Sequence, residues 1–367
     1  MKITGAVLEE VGRPGPWAET TPLSVGELEL EGPRAGEVLV EVEAAGVCHS
    51  DLSVVDGNRP RPVPMLLGHE ACGRVTGLGP GVTDLRVGQR VVMTFLPRCG
   101  DCAGCATDGR MPCGPGSASN NAGEMLGGGM RLTRDGQPIY HHLGVSAFAT
   151  HAVVDTRSVV AVDDDVSTAV ATVLGCAVLT GGGALLNAAP PEPGQSVMVV
   201  GLGGVGMATA LTAIALGAGD VVVVDGVEAK RDQARELGAT MALDPAELAA
   251  RGVRADIVVE AAGNAPAFEA ALAATKPGGR TVTVGLPNAA ARASVSPLLL
   301  VAEARTVIGS YLGSSVPSRD IPVFAQWWRE GRFPVEALVS ARIGLDDVNR
   351  AMDELAAGRA VRQLIEL

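Results

Sequence analysis

From Lys2 to about Val162 the apolar positions come in short runs that partly alternate with polar ones. Val38, Val40 and Val42 interleave with Glu41 and Glu43, and Gly73 to Met93 holds two short valine-rich runs broken by Gly79-Pro80-Gly81 and Val87-Gly88. A period of two marks strands, and these turns mark their ends. The N-terminal half therefore predicts a barrel-like β domain that carries loops. Residues 99–144 are rich in Gly, Ser and Cys, too long for a bare connection unless they carry function.

Near Gly175 the pattern changes. Ser196–Val200 and Val221–Asp225 read as strands apolar on both faces, with a helix at Met207–Leu216 between them. A second helix at Glu228–Leu237 stops at Gly238, where a residue without Cβ closes the last turn. Strands at 256–260 and 281–284 continue the series. Buried strands alternating with helices predict a parallel, doubly wound α/β sheet. From about Ser318 the chain returns to loop, helix and a short strand at 363–367.

A chain of 367 residues is too long for one ordinary core, so two domains are expected. Hydrophobic residues at 47% against 19% charged indicate a folded, well-buried chain, and 3% aromatics leave its cores to Val, Leu and Ala. The net charge of −12, with no basic run, argues against nucleic acid or an anionic membrane as partner. The start MKITGAVLEE has no apolar signal core, and no apolar run looks long enough to span a bilayer. A cytoplasmic location with reduced thiols is the expectation. An odd cysteine count, seven, also argues against a closed disulfide framework.

Three groups of residues carry chemistry. Gly201-Leu202-Gly203-Gly204-Val205-Gly206 is a G-x-G-x-x-G loop that leaves a predicted strand, opens a predicted helix and is followed by Asp225 at the end of the next strand. That context predicts a dinucleotide, with its pyrophosphate on the helix N-terminus and its ribose on the acid. A carboxylate accepts from a free 2′-hydroxyl and repels a 2′-phosphate, so NAD is expected over NADP; Lys230 lies close enough in sequence to approach the same ribose. Second, Cys99, Cys102, Cys105 and Cys113 offer four thiolates, enough to close a tetrahedral shell around a structural zinc. The first three share ferredoxin spacing, but the gap before Cys113 and the Gly114 that follows it depart from the iron–sulfur run. Third, Cys48-His49 and His69-Glu70 fit either part of a metal site or a thiol nucleophile with its base. Cys72 and Cys176 remain as candidates for a third ligand. A cysteine-nucleophile enzyme would explain neither the glycine loop nor Cys176.

Taken in order, G-V-C-H-S-D, G-H-E, the four-cysteine lobe, G-C before T-G, and G-L-G-G-V-G resemble the zinc-dependent alcohol dehydrogenases of the medium-chain dehydrogenase/reductase family, over about residues 40–290. The full segment between Cys113 and Tyr140 favours the long-chain, dimeric branch. The resemblance implies a GroES-like catalytic domain at 1–177 with a zinc lobe at 97–115, a Rossmann domain at 178–311, and a return to the catalytic domain at 312–367. It implies two zinc ions per chain, the catalytic one on Cys48, His69 and Cys176 with Glu70 as an occasional ligand. Asp51 would orient His69, and Ser50 would hydrogen-bond the substrate oxygen. His49 and Arg362 would face the coenzyme phosphates and Thr180 the nicotinamide, while Phe95, His142 and Leu143 would line the substrate pocket. Cys72 has no matching role and reads as a small buried thiol.

The activity so implied is oxidation of a primary alcohol, medium-chain or aromatic, to the aldehyde by hydride transfer to NAD, and its reverse. Two alternatives accompany it: a thiol-dependent formaldehyde dehydrogenase of the same branch, and an NAD-binding zinc protein without turnover. For the first, Arg59 is a candidate anchor, but Ser117 stands where an arginine is expected. Two further departures are Ser53, where many members end a proton relay on histidine, and His142, where well-studied members carry an aromatic wall.

Overall fold

The computed structural model describes residues 1–367, which divide into two compact units. Unit 1 comprises Met1–Cys176, Pro317–Pro322 and Val339–Leu367, and unit 2 comprises Ala177–Val316 and Val323–Leu338.

Unit 1 is the expected β domain. Strands Lys2–Leu8, Leu23–Leu30, Leu132–Arg134, Gln137–His141 and Met65–Leu66 close a barrel. A second, seven-stranded sheet is built around Glu37–Val47, which pairs with Ala71–Leu78, His151–Asp155 and Arg362–Glu366. Its core is aliphatic, with Val40, Val42, Met65, Val91 and Met352 packed around Phe148. The 99–144 segment is not one long loop. It holds the cysteine lobe, the Gly114–Ala122 helix and the Leu132–His141 hairpin.

Unit 2 is a six-stranded parallel sheet. Its order is Met241–Leu243, Val221–Val224, Val197–Val200, Ala255–Glu260, Thr275–Thr283, Thr306–Gly309. Numbered along the chain this is 3-2-1-4-5-6, which reverses direction between the first and fourth strands. That switch point is where a doubly wound sheet opens a crevice for a dinucleotide. The valine quartet Val221–Val224 is buried throughout, as two-sided burial of a parallel strand requires.

Two expectations need correction. The return to the first unit falls at Val339 rather than 312, apart from the short piece Pro317–Pro322. The intervening 323–338 stays with unit 2 because its aromatics pack there. Phe324 lies 5.5 Å from both Trp327 and Phe333, and its ring fills the space a Cβ on Gly182 would take. Also, one helical run, Thr168–Ala188, is long and apolar enough to cross a membrane; 89% of its most apolar window is buried inside the protein, so it is a core helix.

One buried histidine sets a pH limit on this fold. His141 is 1% exposed, and its Nε2 accepts the Arg131 N–H at 3.0 Å, beside the buried Arg131–Glu37 ion pair. Burial, and then the Arg131 guanidinium, push the imidazole down to about 3. The unfolded chain, with an ordinary histidine near 6.5, therefore binds the extra proton first, and stability falls as pH drops below that value. Denaturant unfolding should show wild type losing about 2 kcal/mol more than His141→Gln between pH 7 and pH 5. Equal losses would show that His141 titrates normally in the fold.

Candidate functional site

Strand Glu37–Val47 ends on Cys48, whose extended backbone (φ −123°, ψ 155°) caps the short helix His49–Val55. Asp51, three residues on, returns its carboxylate so that the Cys48 N–H donates to Oδ2 at 3.0 Å. This is a capping box with the acid in the helix's first turn. The other oxygen, Oδ1, accepts the Gly68 N–H at 3.3 Å and faces His69 Nδ1 at 3.0 Å. Gly68 has φ +92°, and a Cβ there would lie 2.5 Å from the Phe148 nitrogen, so only glycine lets the chain turn into His69. Glu70 then joins the sheet, its carbonyl accepting the Gly46 N–H at 2.7 Å.

Cys176 arrives on the Thr168–Ala188 run, within a π turn at Leu174–Val178. One-residue widenings of this kind re-aim a side chain without ending the helix. Its Sγ lies 3.6 Å from His69 Nε2, and the ligand atoms of Cys48, His69 and Cys176 lie within 4.8 Å of one another, all three residues buried. Tetrahedral zinc, with bonds of about 2.3 Å to sulfur and about 2.0 Å to nitrogen, would separate a sulfur from a nitrogen by about 3.6 Å. The triangle therefore fits zinc. The Cys48 charge suits a cation as well, while the hydrogen bond with Cys48 holds the Cys176 thiol up. A hydrogen bond from Cys176, and the Arg362 guanidinium, lower the Cys48 thiol. Burial opposes charge on His69, yet Asp51 raises it. Asp51 itself is held down to about 2 despite its burial, by His69 and then His142.

The lobe passes a similar test. All four cysteines are free thiols, and Cys99–Cys105 and Cys102–Cys113 have sulfurs 3.9 Å apart, far too long for disulfides and close to the roughly 3.8 Å of a tetrahedral zinc–thiolate shell. Backbone N–H groups of Cys99, Gly116, Cys105 and Gly100 point at Cys113, Cys102 and Cys105 sulfurs at 3.3–3.5 Å, which stabilises thiolate charge. The four sulfurs all lie within 4.8 Å of one another, which suits a single ion.

In unit 2 the glycine loop leaves Val197–Val200 and opens helix Gly204–Ala215, with Gly203 as N-cap and Val205 in the first turn. A Cβ on Gly206 would sit 1.7 Å from the Gly201 carbonyl oxygen, whereas one on Gly203 would meet nothing. The first fact fixes the tight turn, and the second leaves an open cradle of the kind a pyrophosphate needs. Asp225 accepts the Leu202 N–H at 2.6 Å and the Val227 N–H at 2.8 Å, so its carboxylate is fastened to that loop. Lys230 is 7% exposed rather than solvated; burial lowers its pKa against the pull of Asp225. Thr180 is 8% exposed within the short helix Leu179–Gly183.

Other expected residues fall in places the sequence does not announce. Arg362 is buried, its Nε 3.2 Å from Glu70 Oε2 and its Nη1 donating to the Val47 carbonyl at 2.9 Å. It is thus the counter-ion of Glu70 beside the thiols. His49 is exposed at the start of its helix and Ser50 half-buried. Ser53 donates its hydroxyl to the His49 carbonyl at 2.7 Å. Phe95 and His142 flank the His69 ring edge-on, at 5.7 and 5.3 Å, and Leu143 is buried nearby in sequence to His142. His142 Nδ1 is 3.1 Å from Asp51 Oδ1, a contact no local signal foretells because the two residues lie on different segments. Cys72 is buried, its thiol pushed up to about 12 by burial, in contact with the Thr172 hydroxyl at 3.2 Å.

Comparison with known proteins gives consistent matches. Residues 34–164 match the family model described as alcohol dehydrogenase GroES-like domain, and 204–329 that of zinc-binding dehydrogenase. The chain is 32% identical over 383 residues to an S-(hydroxymethyl)glutathione dehydrogenase of Paracoccus denitrificans, covering all of both chains. Among solved structures it superposes on an alcohol dehydrogenase zinc-binding domain protein from Burkholderia ambifaria (TM-score 0.92, 31% identity, 100% of this chain and 99% of that one). It also superposes on benzyl alcohol dehydrogenase from Acinetobacter calcoaceticus (TM-score 0.91, 29% identity, the same coverage).

The Asp51 geometry gives a direct expectation. Asp51→Asn leaves one oxygen where several donors converge, so His69 loses part of its orientation. Chelator competition on the purified chain should show zinc affinity at the Cys48–His69–Cys176 site reduced by about tenfold to a hundredfold. An unchanged affinity would remove Asp51 from the metal site's support.

Proposed function

The chain belongs to the zinc-dependent alcohol dehydrogenases of the medium-chain dehydrogenase/reductase family, and on that footing we propose that it oxidises a primary alcohol to the aldehyde, and the reverse, with NAD. The observation that carries this reading is the Cys48–His69–Cys176 triangle, three buried donors of zinc-compatible spacing. Three protein ligands leave a tetrahedral metal one position for a substrate oxygen. Zinc held there would supply Lewis acidity, bringing the pKa of an alcohol hydroxyl toward neutrality. A second zinc on Cys99, Cys102, Cys105 and Cys113 would brace the lobe only.

The chain's own groups do the rest. Asp51 keeps the His69 proton on Nδ1, which leaves Nε2 for the metal. Ser50 hydrogen-bonds the alcohol and relays its proton, releasing its own hydroxyl proton toward the coenzyme ribose as it accepts the substrate's. Ser53 donates its hydroxyl to the His49 carbonyl and cannot accept a further proton near pH 7, so the released proton passes on to solvent. Phe95 and Leu143 keep the substrate side apolar, which favours a medium-chain or aromatic alcohol. NAD on the glycine loop would supply the hydride acceptor, with Asp225 on its ribose hydroxyls and Lys230 and Thr180 as further contacts. The similarity to S-(hydroxymethyl)glutathione dehydrogenase favours a second reading, a thiol-dependent formaldehyde dehydrogenase. Ser117 in place of an anchoring arginine speaks against it.

The reading includes a homodimer. Thr306–Gly309 is the edge of the parallel sheet, and Leu298, Leu299, Val301 and Val307 around it are 74%, 48%, 81% and 41% exposed. Apolar surface beside an open strand edge suits a second copy. Sedimentation should give twice the chain mass; a monomer at micromolar concentration would end the dimer assignment.

Elemental analysis should return two zinc ions per chain, and Cys176→Ala should keep one, lose turnover and still bind NADH. A panel of primary alcohols without added thiol should be oxidised with NAD strongly preferred to NADP. Turnover confined to thiol adducts of formaldehyde would move the assignment to the second reading, and an active Cys176→Ala would refute the zinc triangle.

A further inference from the structure

Two imidazoles meet one carboxylate oxygen. His69 Nδ1 and His142 Nδ1 lie 3.0 and 3.1 Å from Asp51 Oδ1, and the Gly68 N–H reaches the same atom at 3.3 Å. The two contacts differ in quality. That of His69 is a well-directed hydrogen bond, whereas His142 Nδ1 is near but out of line and finds no other partner, in a residue 1% exposed. A bare nitrogen lone pair 3.1 Å from a buried carboxylate would be repelled, and attraction between charge and N–H dipole needs no strict line, so the contact favours the tautomer with its hydrogen on Nδ1 of His142. Phe95, a ring of similar reach with no polar atom, also packs edge-on with the His69 ring. The packing of His69 needs only rings. A nitrogen turned toward Asp51 is an additional feature.

We propose that His142 is a positioning residue of the metal site: it draws on the Asp51 oxygen in competition with His69 and so moderates the carboxylate's hold on the metal-ligating imidazole. This rests on the reading that Cys48, His69 and Cys176 bind zinc. A carboxylate that pulls the Nδ1 proton makes the opposite nitrogen a better electron donor. Dividing the carboxylate between two imidazoles makes His69 a weaker donor, and a metal at that site keeps more of its positive charge. The consequence suits this chain, in which Ser53 offers no base and acidity must come from the metal.

The proposal has a sign that mere damage to the structure does not share. His142→Phe keeps a ring and removes the donor; Asp51 then serves His69 alone, and zinc should bind more tightly, by about threefold to tenfold in chelator competition. With cobalt(II) in the site, its visible ligand-field and thiolate-to-metal bands should shift relative to wild type. His142→Asn, whose amide nitrogen falls near the Nδ1 position, should behave as wild type in both measurements. His142→Gln, whose amide reaches only the Nε2 position, should follow the Phe variant, so the Asn–Gln pair decides the matter if Phe does not fold. Cys176→Ala serves as the blank for metal in the lobe. Equal or weaker zinc binding in the Phe and Gln variants, with an unshifted cobalt spectrum, would overturn the proposal and leave the metal site standing. A wild type whose cobalt spectrum matches the Cys176→Ala blank would overturn both.

Discussion

The Cys48–His69 part of unit 1 hangs from one buried carboxylate. Asp51 is fully buried, and a charge in that position is costly unless donors surround it. The donors come from separate stretches of chain: the end of the central strand at Cys48, the tight turn at Gly68, and the imidazoles of His69 and His142. Each donor fixes a segment, and the segments so fixed carry two of the three proposed metal ligands. The acid is therefore at once a helix cap and the anchor of a ligand. A change that satisfies one duty but not the other would disturb both.

A different solution operates where no buried charge is available. The lobe holds its four thiols with backbone N–H groups, and the glycine loop turns its amides outward at a helix start. Both depend on chain geometry rather than on side-chain partners. Asp225 ties the two styles together, since its carboxylate is fastened by the loop amide of Leu202 and the amide of Val227. The loop is thereby held in shape by the same residue that is proposed to read the ribose.

The features legible in the sequence are those that local pattern controls. The valine strands of unit 2, the glycine loop and its acid, and the four-cysteine lobe each occupy a short window, and each is found where its pattern puts it. The triangle of Cys48, His69 and Cys176 spans distant segments, and only the family resemblance joined them. Where partners are distant and no family pattern names them, the sequence is silent. Nothing near Arg362 reveals that it lies against Glu70, and nothing near His142 reveals Asp51. The Thr168–Ala188 run shows the opposite failure. Its apolar residues are those of a membrane helix, and only burial inside the fold separates the two cases. The late return to unit 1 had a similar cause, because three aromatics in 323–338 choose their own packing partners.

That aromatic cluster has an optical consequence. The chain has three tryptophans, and two of them, Trp327 and Trp328, sit in unit 2, with Trp327 buried against Phe324 and Phe333 and under the Arg332 guanidinium. Unit 1 has only Trp17, half-buried, its indole N–H tied to the Arg13 carbonyl far from the cysteines in sequence. Intrinsic emission from this protein is thus weighted toward the half that holds the glycine loop. The half that holds the cysteine clusters reports through Trp17 alone, which packs on that half's core.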